Sequence, residues 1–429
     1  MPGGSWLVRA RSGSSVAALP QSVWWLCVAW ASASLADWFV LWAVVWSAGL
    51  EGWSGAQTAG IIMAARAPAF VGGIAGGMAI DRYGPRTLMV LDGVARTLVM
   101  LGLVVNGLLG GFGYAAAVIL VLLAGATAPI SYSAVRTFLP RLVPGDRLGA
   151  ANTLLAIGNA LPLVLSAGIV GPTLELVGLA WAFLVPAVLM VGVVVIALFL
   201  PTTGSVEPLA ADSGANVLDT NLSPHTGRSP LTWRRVPAGT LALLCLSTAY
   251  FFTFGPVEPV LPLVVRDRLD AGATTYGLLW STMGIGALLG LLVAPALTRM
   301  PRPGATMAGL AVLNGLAMLP LAATTSVGVA LACCLAIGIL WTPYSAVEAT
   351  ALQRLTPARH HGKVFGIQRA LVISALPVGA AVGALALDTV GATAVLLSSG
   401  LACIAVALGA LAIPTLRAQV RNTPEPEDR

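Results

Sequence analysis

The sequence predicts an all-α membrane protein with twelve transmembrane helices in two pseudo-symmetric six-helix bundles. Three observations favour this fold class. Of the 429 residues, 57% are hydrophobic and only 9% are charged, whereas soluble globular chains contain about 25% charged residues. The apolar residues lie in runs that match the length of about 20 residues needed to span a bilayer. One stretch of sequence also recurs about half a chain later.

The apolar runs define the positions of the predicted helices. They lie at roughly 21–49, 55–80, 87–107, 112–138, 148–172, 177–200, 238–264, 273–298, 303–323, 326–350, 362–387 and 391–415. A segment rich in Pro, Ser, Thr, Asn and Asp separates the sixth helix from the seventh, which is typical of a linker. The predicted domains are an N-terminal segment 1–20, a bundle 21–200, a linker 201–237, a bundle 238–415 and a tail 416–429.

The distribution of basic residues predicts the orientation in the membrane. Of the 23 Arg and Lys residues, three lie within helices, eighteen lie in segments that face the cytoplasm if the N-terminus is inside, and two lie in outside loops. By the positive-inside rule, both termini and the linker are expected to be cytoplasmic in a protein of the cell membrane. Because the arginines are dispersed at helix junctions, the net charge of +6 does not indicate a nucleic-acid partner.

An internal repeat relates the two halves. "YSAVRTFLPRLVPGDRLGAANTLL" begins at Tyr132, and "YSAVEATALQRLTPARHHGKVFGIQRAL" begins at Tyr344. The match continues to Glu175–Leu176–Val177–Gly178 against Asp388–Thr389–Val390–Gly391, at a spacing of about 213 residues. Both copies join helices of the same topology. This indicates a parallel repeat around an axis along the membrane normal, which is one of the main transporter architectures.

A short polar motif, Gly77-x-x-x-Asp81-Arg82-x-Gly84-x-Arg86, lies between predicted helices 2 and 3. Gly84 can turn the chain with a positive φ angle, and the carboxylate of Asp81 is expected to interact with the N-terminus of predicted helix 11. The pattern resembles the loop 2–3 signature of the major facilitator superfamily, whose members are twelve-helix secondary transporters with two six-helix halves. A proline stands between Gly84 and Arg86, where that family usually has a base.

The resemblance extends to the branch that contains macrolide-efflux proteins and the enterobactin exporter, through "DGVARTL", "LPRLVPGDRLGAANTLL" and "RLTPARHHGKVFGIQ". In predicted helix 5, Gly158, Gly171 and Pro172 are similar to the antiporter signature of exporters. The signature is incomplete. Three positions hold other residues where the family has glycine: Ala167, Glu175 and Leu176. The resemblance implies secondary active transport, with export favoured over import.

Charged residues inside the predicted helices are candidates for coupling, because a charge at the bilayer centre costs at least a few kcal/mol. Asp37 and Arg66 lie at similar depth in predicted helices 1 and 2, which suggests a buried pair. Either the pair is structural, or Asp37 exchanges a proton while Arg66 controls its ionisation. Asp92 and Arg96 are four residues apart and share one helix face, which predicts an ion pair.

A tryptophan stripe on predicted helix 1 is a candidate substrate contact. Trp38, Trp42 and Trp46 recur every four residues. Trp38 and Trp42 lie deeper than an interfacial belt and can stack on an aromatic or cationic ligand. Packing and lipid-facing roles remain open alternatives.

The two copies of the YSAV segment end in opposite charges, Arg136 and Glu348. Both lie toward the cytoplasmic ends of predicted helices 4 and 10. They are expected to pair when the cytoplasmic side closes, as a gate with bidentate geometry. The alternative is that each charge is satisfied within its own half, Arg136 by Asp146 for example.

No catalytic signature accompanies these features: the sequence has no P-loop, HExxH or GxSxG motif. The sequence therefore predicts a transporter rather than an enzyme, with no cofactor or metal and with a proton gradient as the energy source. The expected function is efflux of amphipathic small molecules by a monomeric antiporter of the multidrug-resistance kind, in contact with membrane lipid. The alternatives are an importer or symporter on the same fold and a polytopic membrane enzyme.

Overall fold

The computed structural model describes residues 19–68, 72, 79–80, 82–109, 112–143, 147–200, 238–356 and 361–417. Within these ranges every regular element is a helix. Nine of the helices described are long and apolar enough to cross a membrane. This agrees with the predicted all-α membrane fold class.

The longer helices are numbered in chain order. In the N-terminal part they are α1 (Gln21–Leu50), α2 (Gly55–Arg66), α3 (Pro85–Leu108), α4 (Tyr114–Leu142), α5 (Leu148–Ala182) and α6 (Leu184–Phe199). In the C-terminal part they are α7 (Ala238–Phe254), α8 (Ala273–Leu297), α9 (Pro303–Ala323), α10 (Val327–Leu355) and α11 (His361–Ala412). Two short helical segments, Val257–Leu263 and Val264–Arg268, extend α7.

Two glycines break helices at matching positions of the repeat. Gly178 interrupts α5 with a φ angle of 78°, and Gly391 interrupts α11 with a φ angle of 77°. Residues with a side chain rarely adopt this conformation, whereas glycine adopts it at little cost. The long element α11 is therefore two helices joined at Gly391, as the apolar runs predict.

The chain forms two compact units. Unit 1 holds the described residues of Met1–Trp53, Gly60–Ser213 and Gly272–Ser281, and unit 2 holds those of Ser54–Ala59, Gly214–Ala271 and Thr282–Arg429. The beginning of α2 thus belongs to unit 2, and the beginning of α8 belongs to unit 1. The predicted bundle boundaries, 21–200 and 238–415, stay a prediction.

Each unit has its own apolar core. In unit 1 the core is built from buried residues of α1, α3, α4, α5 and α6, with Val23, Met89 and Met190 among them. In unit 2 it is built from α7, α9, α10 and α11. Many large apolar side chains, such as Leu176 and Leu292, are more than three-quarters exposed. An apolar outer surface of this kind suits a hydrocarbon environment, where helices satisfy their own backbone groups.

Candidate functional site

A buried cluster of charged residues joins three helices of unit 1. The guanidinium of Arg96 on α3 forms an ion pair with the carboxylate of Asp37 on α1. One of its nitrogens, Nη1, also lies 3.7 Å from Oδ2 of Asp92, one turn earlier on α3. The hydroxyl of Ser131 on α4 donates a hydrogen bond to the same Asp92 oxygen. The cluster therefore contains two acids, one base and a hydroxyl.

The members of this cluster differ in their access to solvent. The side chains of Arg96 and Asp92 are each 1% exposed, whereas that of Asp37 is 38% exposed. A buried charge is tolerated only when it is paired and hydrogen-bonded. With both carboxylates ionised, the cluster carries two negative charges against one positive charge. A proton on either acid would balance it, and Asp37 is the acid whose side chain is partly exposed.

The structure gives Asp37 an ion-pair partner that the sequence did not suggest, Arg96 of α3. The predicted pair of Asp37 with Arg66 stays a prediction. Depth in a helix does not determine the direction in which a side chain points around the helix axis. The guanidinium carbon of Arg66 lies 5.4 Å from the ring centroid of Trp38, in a cation–π geometry.

An aromatic cluster lies next to Asp37 in the chain and belongs to the same unit. The ring of Trp42 stacks with Trp280 at a centroid distance of 4.2 Å and with Trp38 at 5.4 Å. Trp46 contacts Tyr276 at 5.3 Å. Trp42 is only 2% exposed, so in this conformation its ring serves packing. Trp38 is half-buried and keeps part of its surface available.

Two indole groups of the aromatic cluster are buried donors. Within the residues that the structure describes, Nε1 of Trp42 and Nε1 of Trp280 have no hydrogen-bond acceptor. A buried donor without an acceptor costs about 1–3 kcal/mol. This pair of N–H groups therefore favours any rearrangement, or any ligand, that supplies acceptors.

A second buried polar cluster occupies unit 2 and is built from mostly neutral groups. The ring of Tyr250 on α7 stacks on Tyr344 of α10 at 4.0 Å. The hydroxyl of Tyr250 accepts a hydrogen bond of 3.0 Å from Nδ2 of Asn314 on α9. Glu348, which is 3% exposed, accepts a hydrogen bond of 3.1 Å from Nε2 of Gln368. Sequence reasoning missed Tyr250 and Asn314.

The repeat contained a signal for this second cluster. Arg96 follows Pro85, the first residue of α3, by eleven positions, and Asn314 follows Pro303, the first residue of α9, by eleven. Arg96 contacts α1, and Asn314 contacts α7. Equal positions in the two halves therefore hold a bridging polar residue, charged in one and neutral in the other.

The predicted gate residues have other neighbours in the structure. The guanidinium carbon of the exposed Arg136 lies 4.7 Å from the ring centroid of Tyr132, while Glu348 contacts Gln368 as described above. Asp146, the alternative partner of Arg136, lies outside the described residues. The gate stays a prediction.

Part of the loop 2–3 signature lies outside the described residues, namely Gly77 and Asp81. Gly84 precedes α3 with a φ angle of 78°, as expected for a turn. Nε of Arg86 donates a 3.1 Å hydrogen bond to the carbonyl of Ala197, and Nη2 of the same side chain bonds to the next carbonyl. Arg86 therefore binds the C-terminal end of α6, where carbonyls are free and a positive charge is favourable. Arg82 is exposed and lies over the ring of Tyr83.

The three residues of the exporter-like signature all lie in α5. Gly158 packs near Trp30, where an added Cβ would lie 3.4 Å from the ring, at van der Waals contact. Gly171 permits a close backbone approach, because a Cβ there would overlap the carbonyl oxygen of Ala273. Pro172 is half-buried in the helix interior.

Comparison with known protein families gives a match over most of the chain. The family model described as Major Facilitator Superfamily matches residues 26–373. The match confirms the predicted family and fold class.

Curated relatives with low sequence identity are transporters as well. An uncharacterized MFS-type transporter, y4rN of Sinorhizobium fredii, is 28% identical over 85% of this chain and 86% of its own. The multidrug efflux pump Tap of Mycolicibacterium fortuitum is 24% identical over 83% of this chain and 87% of its own. The enterobactin exporter EntS of Shigella boydii is 28% identical over 73% of this chain and 72% of its own.

A solved structure supports the fold alone. An auto-inhibited POT family peptide transporter superposes with a TM-score of 0.71, at 12% identity, over 92% of this chain and 96% of that one.

Proposed function

The chain belongs to the major facilitator superfamily, and we propose that it is a proton-driven exporter of amphipathic small molecules. Family membership and the transporter relatives make it a multi-pass membrane transporter rather than an enzyme. We propose three further properties: the direction of transport, the coupling ion and the substrate class. Relatives named as an efflux pump and an exporter support export.

The charged cluster of unit 1 is the observation that carries the proton-driven part. Two carboxyl groups pair with one guanidinium, and one of them, that of Asp37, is partly exposed. Protonation of Asp37 breaks its ion pair with Arg96, so that Arg96 is then paired with Asp92 alone. Loss of the proton restores the pair. Binding of a single proton thus removes the ion pair between α1 and α3, in a part of the membrane where an unpaired charge has a high energetic cost.

Substrate and proton can compete through α1, because Asp37 and Trp38 are adjacent on it. Trp38 offers a half-buried planar face with Arg66 over its ring. The indoles of Trp42 and Trp280 continue the stack and hold buried N–H donors that a rearrangement could make available. Such a surface suits a molecule with an aromatic or hydrophobic body and one or two acceptor groups. Loosely specified pockets of this kind accept many amphiphiles.

The proposal includes a location. The arginine distribution favours the cell membrane with both termini and the linker in the cytoplasm. A monomer is sufficient for this function, since both halves of the repeat lie in one chain.

An assay in everted membrane vesicles tests direction and coupling together. Ethidium serves as the probe, because it is a planar aromatic cation with a fluorescence readout. Acidifying the vesicle lumen is expected to drive ethidium inward, and a protonophore is expected to abolish this accumulation. Ethidium uptake by right-side-out vesicles in an acidified medium, with no accumulation in everted vesicles that have an acid lumen, would establish an importer instead.

A further inference from the structure

A carboxylate of unit 2 holds the N-terminus of a helix far away in sequence. Both oxygens of Asp388, on α11, accept hydrogen bonds from the backbone N–H of Gly55, at 2.9 and 2.8 Å. Gly55 is the first residue of α2. The N-terminus of a helix presents free N–H groups and a partial positive charge, so a carboxylate is favourable there.

Unit 1 contains the same arrangement. Oε1 of Glu175, on α5, accepts a 2.8 Å hydrogen bond from the backbone N–H of Thr274, in the first turn of α8. Oε2 accepts a 2.6 Å hydrogen bond from the hydroxyl of the same threonine. Both carboxylate oxygens are again committed to the start of one helix.

The two arrangements occupy equivalent positions in the repeat. Glu175 stands three residues before Gly178 and Asp388 three residues before Gly391, and both glycines have a positive φ angle. We name each acid and the helix start it binds a clasp: Glu175 with the start of α8, and Asp388 with the start of α2. By the arginine distribution both clasps lie at the outer ends of the helices.

Glycines allow the backbones at each clasp to approach closely. A Cβ added to Gly55 would overlap the carbonyl oxygen of Ala384, four residues before Asp388. A Cβ added to Gly171, four residues before Glu175, would overlap the carbonyl oxygen of Ala273. Each clasp therefore combines a carboxylate contact with a tight backbone contact one turn away.

The helix start of α2 does not need Asp388 as a cap. Ser54 and Gln57 already cap it reciprocally: the Gln57 side chain accepts the N–H of Ser54 at 2.9 Å, and the Ser54 hydroxyl accepts the N–H of Gln57 at 3.3 Å. This capping box is sufficient to begin a helix. The contact with Asp388 must then serve to hold α2 against α11, which is positioning rather than helix formation.

We propose that Glu175 and Asp388 are positioning residues of the transport cycle, whose clasps hold the outer ends of α8 and α2 in this conformation and release them together in the alternate one. The proposal rests on transport by alternating access, as given under the proposed function. It accounts for Glu175 at a position where the exporter signature has glycine. A carboxylate at a solvent-accessible helix end is strong enough to bias two states and weak enough to break in every cycle.

Distances between spin labels in lipid nanodiscs test the clasps without substrate or gradient. Two label pairs report them, and both use exposed positions: Ala56→Cys with Thr389→Cys in unit 2, and Leu176→Cys with Leu278→Cys in unit 1. The exposed Cys245 is replaced by serine in all samples. Asp388→Asn and Glu175→Gln remove the charge at nearly constant size, and Glu51→Gln is the matched control, because Glu51 is an exposed acid in the loop after α1.

Each single charge removal is expected to lower the ratio of short to long distances by about twofold to fivefold, the effect of one exposed carboxylate at a helix N-terminus. Because the clasps release together, either variant should lengthen both label pairs, and Glu51→Gln should change neither. A purely local cap would lengthen only its own pair, and that result overturns the proposal. Unchanged distances in Asp388→Asn and Glu175→Gln overturn it as well.

The test is independent of the proposed coupling. An incorrect choice of proton, substrate or direction leaves the label distances unaffected. Conversely, consider the result in which the two variants show the label distances of the parent protein while the parent shows intact proton-driven efflux. That result would reject the clasp proposal and leave the proposed function standing.

Discussion

The charged cluster of unit 1 and the neutral cluster of unit 2 are built on matching helices but carry different chemistry. In unit 1, α3 reaches α1 through the Arg96–Asp37 ion pair. In unit 2, α9 reaches α7 through the hydrogen bond from Asn314 to Tyr250. The neutral contact shows that this helix pairing needs only a hydrogen bond. The charges in unit 1 are thus more than packing requires, which supports the proposal that coupling takes place in that half.

The largest expected effect is the loss of coupling in Asp37→Asn. Asparagine has the size of aspartate but cannot carry a charge, so Arg96 stays paired with Asp92 throughout the cycle. Protonophore-sensitive ethidium efflux from cells should fall to the background of cells without the protein, with unchanged membrane insertion. Asp270→Asn, at an exposed acid outside the cluster, is the matched control. Normal efflux in Asp37→Asn would end the assignment of coupling to unit 1.

A large loss of stability is expected for Arg96→Met, because it leaves the buried carboxyl group of Asp92 and the partly exposed one of Asp37 without their base. Removing one partner of a buried ion pair costs about 3–5 kcal/mol. The midpoint of thermal unfolding in detergent should fall markedly, and adding Asp92→Asn should recover part of the loss. If Arg96→Met unfolds at the same temperature as the parent, the cluster does not hold the helices together.

A smaller effect is expected for Glu348→Gln in unit 2. Glutamine keeps an acceptor for Gln368 but removes the charge, so the transport rate should change by less than about fivefold, the difference between a charged and a neutral hydrogen bond. Proton release per ethidium should stay unchanged, as measured with a pH dye in proteoliposomes. A loss of proton release equal to that of Asp37→Asn would show that both halves share the coupling.

The smallest effect is expected for Tyr250→Phe, which deletes only the hydroxyl that accepts from Asn314. The cost is about 1 kcal/mol of stability, typical of one neutral hydrogen bond. Efflux of ethidium should stay at the parental rate when expression is matched. A strong loss of efflux in Tyr250→Phe would mean that the neutral cluster does more than support the helices.

Most of the described helices could be predicted from the sequence, because bilayer thickness dictates the length of each apolar run. The turns at Gly178 and Gly391 also follow from the repeat. The partner of Asp37 could not be predicted. Residues that face lipid and residues that face the core are both apolar, so hydrophobic periodicity does not reveal which side of a membrane helix points inward. Asp37 and Arg66 match in depth, yet Arg96 lies on the face that meets α1.

Only the local part of the candidate site could be predicted from the sequence. Asp92 and Arg96 share a face by spacing alone, which is a local property that sequence can supply. The stacking of Trp42 on Trp280 joins residues more than two hundred positions apart, and no local pattern signals it. The position of Asn314, and through it the contact with Tyr250, could have been predicted, because Pro85 and Pro303 align the two halves of the repeat.

The membership of residues 272–281 in unit 1 has a consequence for how the protein is made. A ribosome completes α1 to α6, the linker and α7 before it reaches Trp280 and Tyr276. Until then the indole of Trp42 lacks the ring that covers it, and the newly made half carries an open aromatic surface within the membrane. Maturation of the first half must therefore wait for the second. When the two halves are expressed as separate fragments cut in the linker, we expect the N-terminal one to be short-lived unless its partner is synthesised in the same cell.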